Sequence, residues 1–197
     1  MFGRKKKHNV QYQDYIWMTA EMKTKKLLAL ADDGKPVFII SSFDKTLKHL
    51  QTLKPSFKIL ESLSDTDNNS GPWLLNSKKI LEAPISQPIY SGEVHIAFTE
   101  HYPMPDKDHE IISKTASFFK NSTITFHISL EDLLMRLFNA ERIMGIMKSL
   151  GINENEAIEH RMISSAIVNA QKKLAKKITF EQQHDDEEAW YRVNYRG

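Results

Sequence analysis

The sequence contains no cysteine, and this absence excludes several kinds of scaffold and site. A disulfide framework, a thiol nucleophile and a zinc or iron–sulfur site with cysteine ligands all need that residue. Packing must therefore stabilise the chain. Its 197 residues, 41% of them hydrophobic, are enough for one sizeable core or for a domain with a helical appendage, and we expect one domain with an extension.

Long apolar runs are absent as well. No stretch of about 18 apolar residues is present to span a bilayer. The N-terminal segment MFGRKKKHNVQYQ has no apolar stretch after its charges, which a secretory signal would need. We therefore expect a cytoplasmic protein.

The net charge is only +2, but the charges are unevenly distributed. Arg4, Lys5, Lys6 and Lys7 form a basic head within residues 1–11, which we predict to be a disordered tail. This head would suit a partner surface, RNA phosphates, or an anionic membrane that attracts each cationic residue by roughly 1 kcal/mol. A solubilising tail explains it equally well.

Strands and helices alternate along the first two thirds of the chain. Residues from about 12 to 31 mix apolar and charged residues in a pattern that predicts a helix. VFIIS (37–41) is typical of a strand buried on both faces. A helix capped by Ser42 or Asp44 and a second strand, FKILE, complete a βαβ unit. Further strands are predicted in EVHIAFTE and STITFHIS, with a short helix in DHEIISKTASFF between them. This alternation favours an α/β fold with a parallel sheet covered by helices.

Two regions differ from that pattern. Residues 64–92 have turn residues and little periodicity, so we predict a solvated loop at SDTDNNSGP and assign no element up to Gly92. From Ser129 onward the spacing is helical, with a capping-box-like pair in Ser129 and Asp132 and a terminating Gly151. A later helix is predicted from Ile163, Ile167, Ala170 and Leu174.

Three segments resemble one protein family. The segment SLEDLLMRLFNAERIMGIMKSLGINENEAIEHRMISSAIVNAQKKL closely resembles the end of the second nucleotide-binding domain of the SecA preprotein translocase and the start of its helical scaffold. Trp17, Thr19 and Lys23, followed by GKPVFIISSFDKTLKHL, resemble the first helix and strand of that domain, and VHIAFTEH resembles a later strand. The resemblance covers about residues 12–178. It implies a RecA-like, helicase C-terminal-type domain over 12–138 and a helical scaffold-like extension over 139–197.

The same resemblance shows what chemistry is missing. Motors of this kind hydrolyse ATP between two domains, one with a phosphate-cradling loop and one with arginines. The chain has no GxxxxGK[ST] motif, and the positions of the family's arginine-rich segment fall on Ile112, Lys114 and Ser117. Lysine lacks the planar fork of arginine, whose loss typically lowers turnover by about 10³ or more. We expect Lys114 to be a vestigial phosphate contact, with no catalytic residue and no bound cofactor.

Other polar and aromatic groups have structural interpretations. The histidines His95, His101, His109 and His127 lack metal-site spacing, so no metal site is predicted. Asp106, Asp108 and Glu110 fit a helix start better than acid–base chemistry. Trp190, Tyr191 and Tyr195 would stack on nucleic acid or pack on the domain, and we favour packing.

These observations predict a non-hydrolytic, SecA-like accessory or regulatory binding protein linked to protein export. Its expected partner is the export machinery or a motor subunit, with a peripheral contact to the inner face of the membrane. One alternative is a nucleic-acid-binding module of the helicase C-terminal type, which we rank below a protein partner. Another is a subunit that completes a composite ATPase with a P-loop partner, with Lys114 as the phosphate contact.

Overall fold

The computed structural model describes residues 10–66, 71–84, 89–90, 92–137, 143–145, 151, 156–159 and 161–195. Six strands form its centre: β1 (Gln13–Trp17), β2 (Val37–Ser41), β3 (Lys58–Leu60), β4 (Trp73–Asn76), β5 (Val94–Phe98) and β6 (Ser122–Ser129). They make one sheet in the order β1-β6-β5-β2-β4-β3, and all pairs are parallel. The predicted parallel α/β class is confirmed.

Seven helices with both ends described surround the sheet: α1 (Ala20–Leu30), α2 (Asp44–Leu53), α3 (Ser77–Glu82), α4 (Pro105–Phe118), α5 (Leu133–Leu137), α6 (Arg161–Ala175) and α7 (Glu187–Asn194). Residues 143–145 are helical as well. A short 3-10 turn spans Leu63–Asp65. None of the described helices has the length and apolar character needed to cross a membrane.

Strand β2 shows how the two faces of the sheet are covered. All five of its residues are buried. Because side chains alternate along a strand, Val37 and Ile39 pack with α1 and α2, whereas Phe38 and Ile40 belong to the larger core on the other face. Helices α3 to α7 contribute to that larger core. Helices therefore lie on both faces, as expected for a RecA-like domain.

The first predicted element is wrong in its first half. Residues 13–17 form strand β1, and the helix begins only at Ala20. The reason is tertiary pairing, since Tyr15 and Ile16 lie in register with His127 and Ile128 of β6. The main chain of Ile16 also exchanges two hydrogen bonds with Ile158, of 3.0 and 2.9 Å.

The cap of α2 also differs from the prediction. Phe43 occupies the N-cap position, and neither Ser42 nor Asp44 does. The hydroxyl of Ser41 instead accepts a hydrogen bond from the Phe43 N–H at 3.1 Å. This hydrogen bond from the end of β2 thus takes the place of the expected side-chain cap of α2.

The region from 64 to 92 contains two elements that the sequence pattern does not reveal. Strand β4 lies between β2 and β3, and Trp73, Leu74 and Leu75 are fully buried. Helix α3 follows at once, with Asn76 as its cap, accepting from the Lys78 N–H at 2.8 Å. A strand of four residues is too short to show a period. Residues 67–70, within the predicted loop, lie outside the described residues.

The described C-terminal residues pack on the sheet. In α6, which confirms the predicted later helix, the four expected core residues Ile163, Ile167, Ala170 and Leu174 are all buried in the core that holds Phe38. Gly151 has φ +67°, the conformation expected of a glycine that ends a helix. The predicted boundary at residue 138 and residues 1–9 of the predicted tail (1–11) lie outside the described residues, whereas Val10 packs against the larger core.

If α6 shares the core of the sheet, Ile167→Ala should lower the free energy of unfolding by about 2–5 kcal/mol, because a buried isoleucine leaves a cavity. The exposed Asn169→Ala on the same helix is the control and should change it by less than about 0.5 kcal/mol. Urea denaturation followed by circular dichroism measures both. An Ile167→Ala protein as stable as the parent would mean that α6 is not part of this core.

Candidate functional site at the carboxyl edge of the sheet

Open parallel sheets bind their ligands beyond the carboxyl ends of the strands. In this chain each of the four inner strands ends in polar residues there. Ser41 ends β2 and Ser42 follows it, Asn76 ends β4 and Ser77 follows it, Thr99 and Glu100 follow β5, and Ser129 ends β6. This carboxyl edge is the candidate site.

Glu100 organises the edge between β2 and β5. One carboxylate oxygen accepts the Ser42 N–H at 2.6 Å and the Ser41 hydroxyl at 3.0 Å, and the other accepts the Thr99 hydroxyl. Burial raises the pKa of Glu100, whereas the hydrogen bonds from Ser42 and Thr99 work against that shift. Both oxygens of the Glu100 side chain thus already have hydrogen-bond partners within the protein.

Lys23 of α1 is the cation of the edge, and only 13% of its side chain is exposed. Its ammonium donates to both carboxylate oxygens of Asp132, at 2.7 and 2.8 Å, and to the Thr99 carbonyl at 3.3 Å. Burial alone would lower the pKa of Lys23, but the carboxylates of Asp132 and Glu187 raise it overall. The charge of Lys23 is therefore neutralised within the edge.

The predicted pair at the end of β6 is confirmed and is joined to this lysine. Asp132 accepts the Ser129 N–H at 2.9 Å, and the Ser129 hydroxyl accepts the Glu131 N–H at 2.9 Å. Thr19 caps α1 by accepting from the Met22 N–H at 3.2 Å. Lys23 of α1 and Ser129 and Asp132 at the end of β6 thus meet at the carboxyl edge.

The C-terminal residues 181–195, here called the strap, lie across this edge. The N–H of Lys45, in the first turn of α2, donates to the Asp185 carbonyl at 3.1 Å, and the Lys45 ammonium lies 2.8 Å from Asp186. Trp190 is fully buried and donates to Glu181 at 3.0 Å. The prediction that the C-terminal aromatics pack on the domain is confirmed.

A second charged cluster is centred on His101, the residue that follows Glu100. His101 lies between two carboxylates, 2.7 Å from Asp108 and 3.0 Å from Asp14. Burial by itself lowers the pKa of His101, but Asp108 and Asp14 outweigh it and raise the pKa to about 10. Gln171 of α6 donates to Asp108 at 3.0 Å, so this imidazolium links β1, α4 and α6.

Comparison with known proteins shows which sequences the chain is similar to. No family model matches the sequence. SecA of Acetivibrio thermocellus is 38% identical over 97 residues, which are 49% of this chain and 11% of that protein. SecA of Nitratidesulfovibrio vulgaris is 43% identical over 84 residues (43% and 10%), and SecA of Alcanivorax borkumensis is 28% identical over 145 residues (74% and 14%).

The chain is SecA-like. It spans about a tenth of the length of the first of these relatives, which are named protein translocase subunits. Among solved structures, the C-terminal domain of a possible DNA helicase from Lactobacillus plantarum is 10% identical with a TM-score of 0.41, covering 59% of this chain and 73% of that one.

The residues at the positions of the family's arginine-rich segment make contacts within this SecA-like chain. Lys114 lies in α4, and its ammonium donates to the Leu81 carbonyl of α3. Ile112 is buried, and the Ser117 hydroxyl donates to the Lys114 carbonyl at 2.7 Å. The role of Lys114 toward phosphate stays a prediction. Arg4, Lys5, Lys6 and Lys7 lie outside the described residues.

Asp106 and Asp108 lie in the first turn of α4, which confirms the interpretation as a helix start. Asp108 does more than that, because it also accepts the Tyr102 N–H at 2.8 Å and holds His101. Within the described ranges, no group of three histidine, aspartate or glutamate side chains is placed to hold a metal ion.

A cavity of about 1330 Å³ lies on the α1 side of the sheet, lined from the amino ends of β5 and β6 as far as His127 and Trp17, and sequence reasoning missed it. Its wall carries a directed hydrogen-bond chain. The Trp17 indole can only donate, so His127 Nδ1 accepts from it at 3.3 Å, and Nε2 of the neutral ring then donates to Thr125 at 3.2 Å. Burial lowers the pKa of His127 to about 3. The alternation T-x-T-x-H in β6 is the signal that could have placed these groups on one face.

The His101 cluster predicts a pH dependence of stability. Because its pKa is raised on folding, its contribution is fully present below pH 6.5 and is lost as the pH rises toward 10, at about 1.4 kcal/mol per pH unit. His101→Gln should be less stable than the parent at pH 7 and should lose less stability between pH 7 and 10. Urea unfolding over this range measures it, with exposed His109→Gln as control. Equal slopes for parent and His101→Gln would contradict the assignment.

Proposed function

We propose that the chain is a non-hydrolytic accessory or regulatory binding protein of the export machinery. The observation that carries the proposal is the closed carboxyl edge, where Lys23 is neutralised by Asp132 and the strap covers the start of α2. The segments that resemble SecA supply the residues that hold this edge together. Of the three residues at the positions of the family's arginine-rich segment, only Lys114 is cationic, and its ammonium donates to the Leu81 carbonyl of α3.

The charges at the edge support the same proposal. Asp132 pairs with the one lysine of the edge, and Glu100 and Glu187 lie near that pair, so a triphosphate placed there would meet a cation that is already neutralised. Two like charges about 4 Å apart repel by about 4 kcal/mol at an effective dielectric constant of about 20. Transition-state stabilisation of phosphoryl transfer needs the opposite sign.

The proposed partner class follows from the relatives, which are translocase subunits. A chain that keeps the scaffold of such a subunit without its phosphate chemistry is suited to bind another part of the same machinery. We place it on the cytoplasmic side, with Arg4, Lys5, Lys6 and Lys7 as the proposed contact to anionic lipid.

Binding to purified SecA and to vesicles that carry the export channel tests the partner class. We expect saturable binding of the full chain to one of these, measured by biolayer interferometry, that persists at 0.5 M salt at roughly the same affinity, since a protein interface with an apolar centre is weakly screened. Binding to RNA instead, with a steep loss of affinity as salt rises, would support the nucleic-acid alternative and overturn the proposal.

Phosphate release from ATP tests the absence of turnover. The purified chain should release phosphate no faster than buffer, and Lys114→Ala should leave turnover of a mixture with SecA unchanged. The exposed Lys120→Ala is the matched control for loss of a positive charge near the same helix. A mixture whose turnover falls with Lys114→Ala and not with Lys120→Ala would establish the composite ATPase instead.

A further inference from the structure

The face of the sheet that packs with α1 and α2 changes from apolar to polar along its width. On β2 this face carries Val37 and Ile39, which belong to the core beneath these helices. His95 of β5 lies in register with Val37, and Thr125 and His127 of β6 continue the same face. All three of these polar residues line the cavity. The polar half of the face therefore borders open space.

The hydrogen-bond chain that begins at Trp17 continues past Thr125 to His95. Thr125 is only 3% exposed, and its hydroxyl oxygen lies 2.8 Å from His95 Nε2. Because His127 donates to this oxygen, the Thr125 hydroxyl keeps its own hydrogen, and His95 Nε2 is the acceptor within reach among the described residues. The neutral His95 ring then carries its hydrogen on Nδ1. This N–H has no hydrogen-bond partner within the described residues, so the chain ends in a donor at the cavity.

Lysine charges dominate around the two histidines. Burial and the charge of Lys26 lower the pKa of His95, and Asp33 opposes them only in part. The lysines that act on His127 are Lys26 and Lys23. Lys26 lines the cavity and forms no ion pair with any described residue. A hydrogen-bond donor and an unpaired ammonium group thus border the same space, and both suit an anion.

The rim limits the charge that such an anion can carry. Lysines and carboxylates line the cavity in equal number: Lys26, Lys35, Lys120, Asp33, Glu93 and Glu156. An anion with several negative charges would be repelled by the three carboxylates. A carboxylate has one negative charge and two acceptor oxygens, whereas a phosphate monoester carries nearly two charges at pH 7. The charge balance therefore favours a carboxylate.

The cavity also has room for the apolar body of a small molecule. Its volume of about 1330 Å³ exceeds the roughly 300–1,000 Å³ that is usual for such pockets. Leu30, Pro36 and Val94 contribute apolar surface to its wall. Pockets for small molecules typically combine such a lining with a few placed polar groups.

We propose that this cavity binds a small monocarboxylate with an apolar body, whose carboxylate oxygens accept hydrogen bonds from His95 Nδ1 and from the Lys26 ammonium. The cavity is lined by none of the residues that form the carboxyl edge. The inference therefore holds whether or not the proposed function is correct.

Nuclear magnetic resonance of the full chain, labelled with ¹⁵N, tests the site at neutral pH. The imidazole spectrum should show the hydrogen of His95 on Nδ1 and that of His127 on Nε2. Benzoate is the probe, and at millimolar concentration it should shift the His95 Nδ1 signal in a saturable way. Benzamide, its uncharged analogue, and inorganic phosphate should leave that signal unchanged.

Lys26→Met tests the contribution of the ammonium group. The variant should bind benzoate about fivefold more weakly than the parent, as expected for loss of an ion pair at an exposed lysine. Lys25 is also exposed on α1 but does not line this cavity. Lys25→Met is therefore the matched control and should bind benzoate like the parent.

Several results would overturn the inference. Benzoate that leaves His95 unshifted, or shifts it no more than benzamide does, would mean that no carboxylate is recognised. Phosphate that binds as tightly as benzoate would rule out a monocarboxylate site. Equal affinity of Lys26→Met and Lys25→Met for benzoate would exclude the ammonium contact, and a hydrogen on Nε2 of His95 would exclude the proposed donor.

Discussion

The carboxyl edge of the sheet depends on one buried ammonium group. Lys23 reaches from α1 to Asp132 after β6 and to the Thr99 carbonyl after β5, and so joins three parts of the chain. Removing one partner of a buried ion pair typically costs about 3–5 kcal/mol, because the other charge is left without compensation. The same contact that stabilises the edge also makes its positive charge unavailable to a ligand.

This constraint supports the proposal that a motor-like scaffold persists here without motor chemistry. Lys23 pairs with Asp132, Glu100 accepts hydrogen bonds from Ser42 and Thr99, and hydrophobic side chains form a core on each face of the sheet. The positions at which the family carries arginines do not take part in this network. We propose that a scaffold of this kind tolerates Ile112, Lys114 and Ser117 at these positions, since a fold by itself does not imply a function.

The sequence pattern predicts the fold where an element has a clear period or a long buried run. VFIIS and STITFHIS become β2 and β6, and the spacing from Ile163 to Leu174 becomes α6. It fails at β1 and β4, because β1 is an edge strand whose identity depends on pairing with β6, and β4 has only four residues. Local preference carries little information in both cases.

The contacts at the candidate site could not be predicted from the sequence either. The three segments that resemble SecA contain Lys23, Thr99 and Asp132, yet the meeting of these residues follows only from the parallel strand order. The strap could not have been placed from sequence, since Tyr102 and Glu181 are 79 positions apart and the aromatic residues between 190 and 195 show only that they pack somewhere.

The central claim is that the carboxyl edge is closed by the protein's own charges and does not hold a triphosphate. Calorimetric titration of the full chain with magnesium ATP at neutral pH measures this directly. The account predicts no saturable heat of binding up to millimolar nucleotide. Saturable binding at micromolar nucleotide that is lost in Lys23→Met, while the variant stays folded, would contradict it.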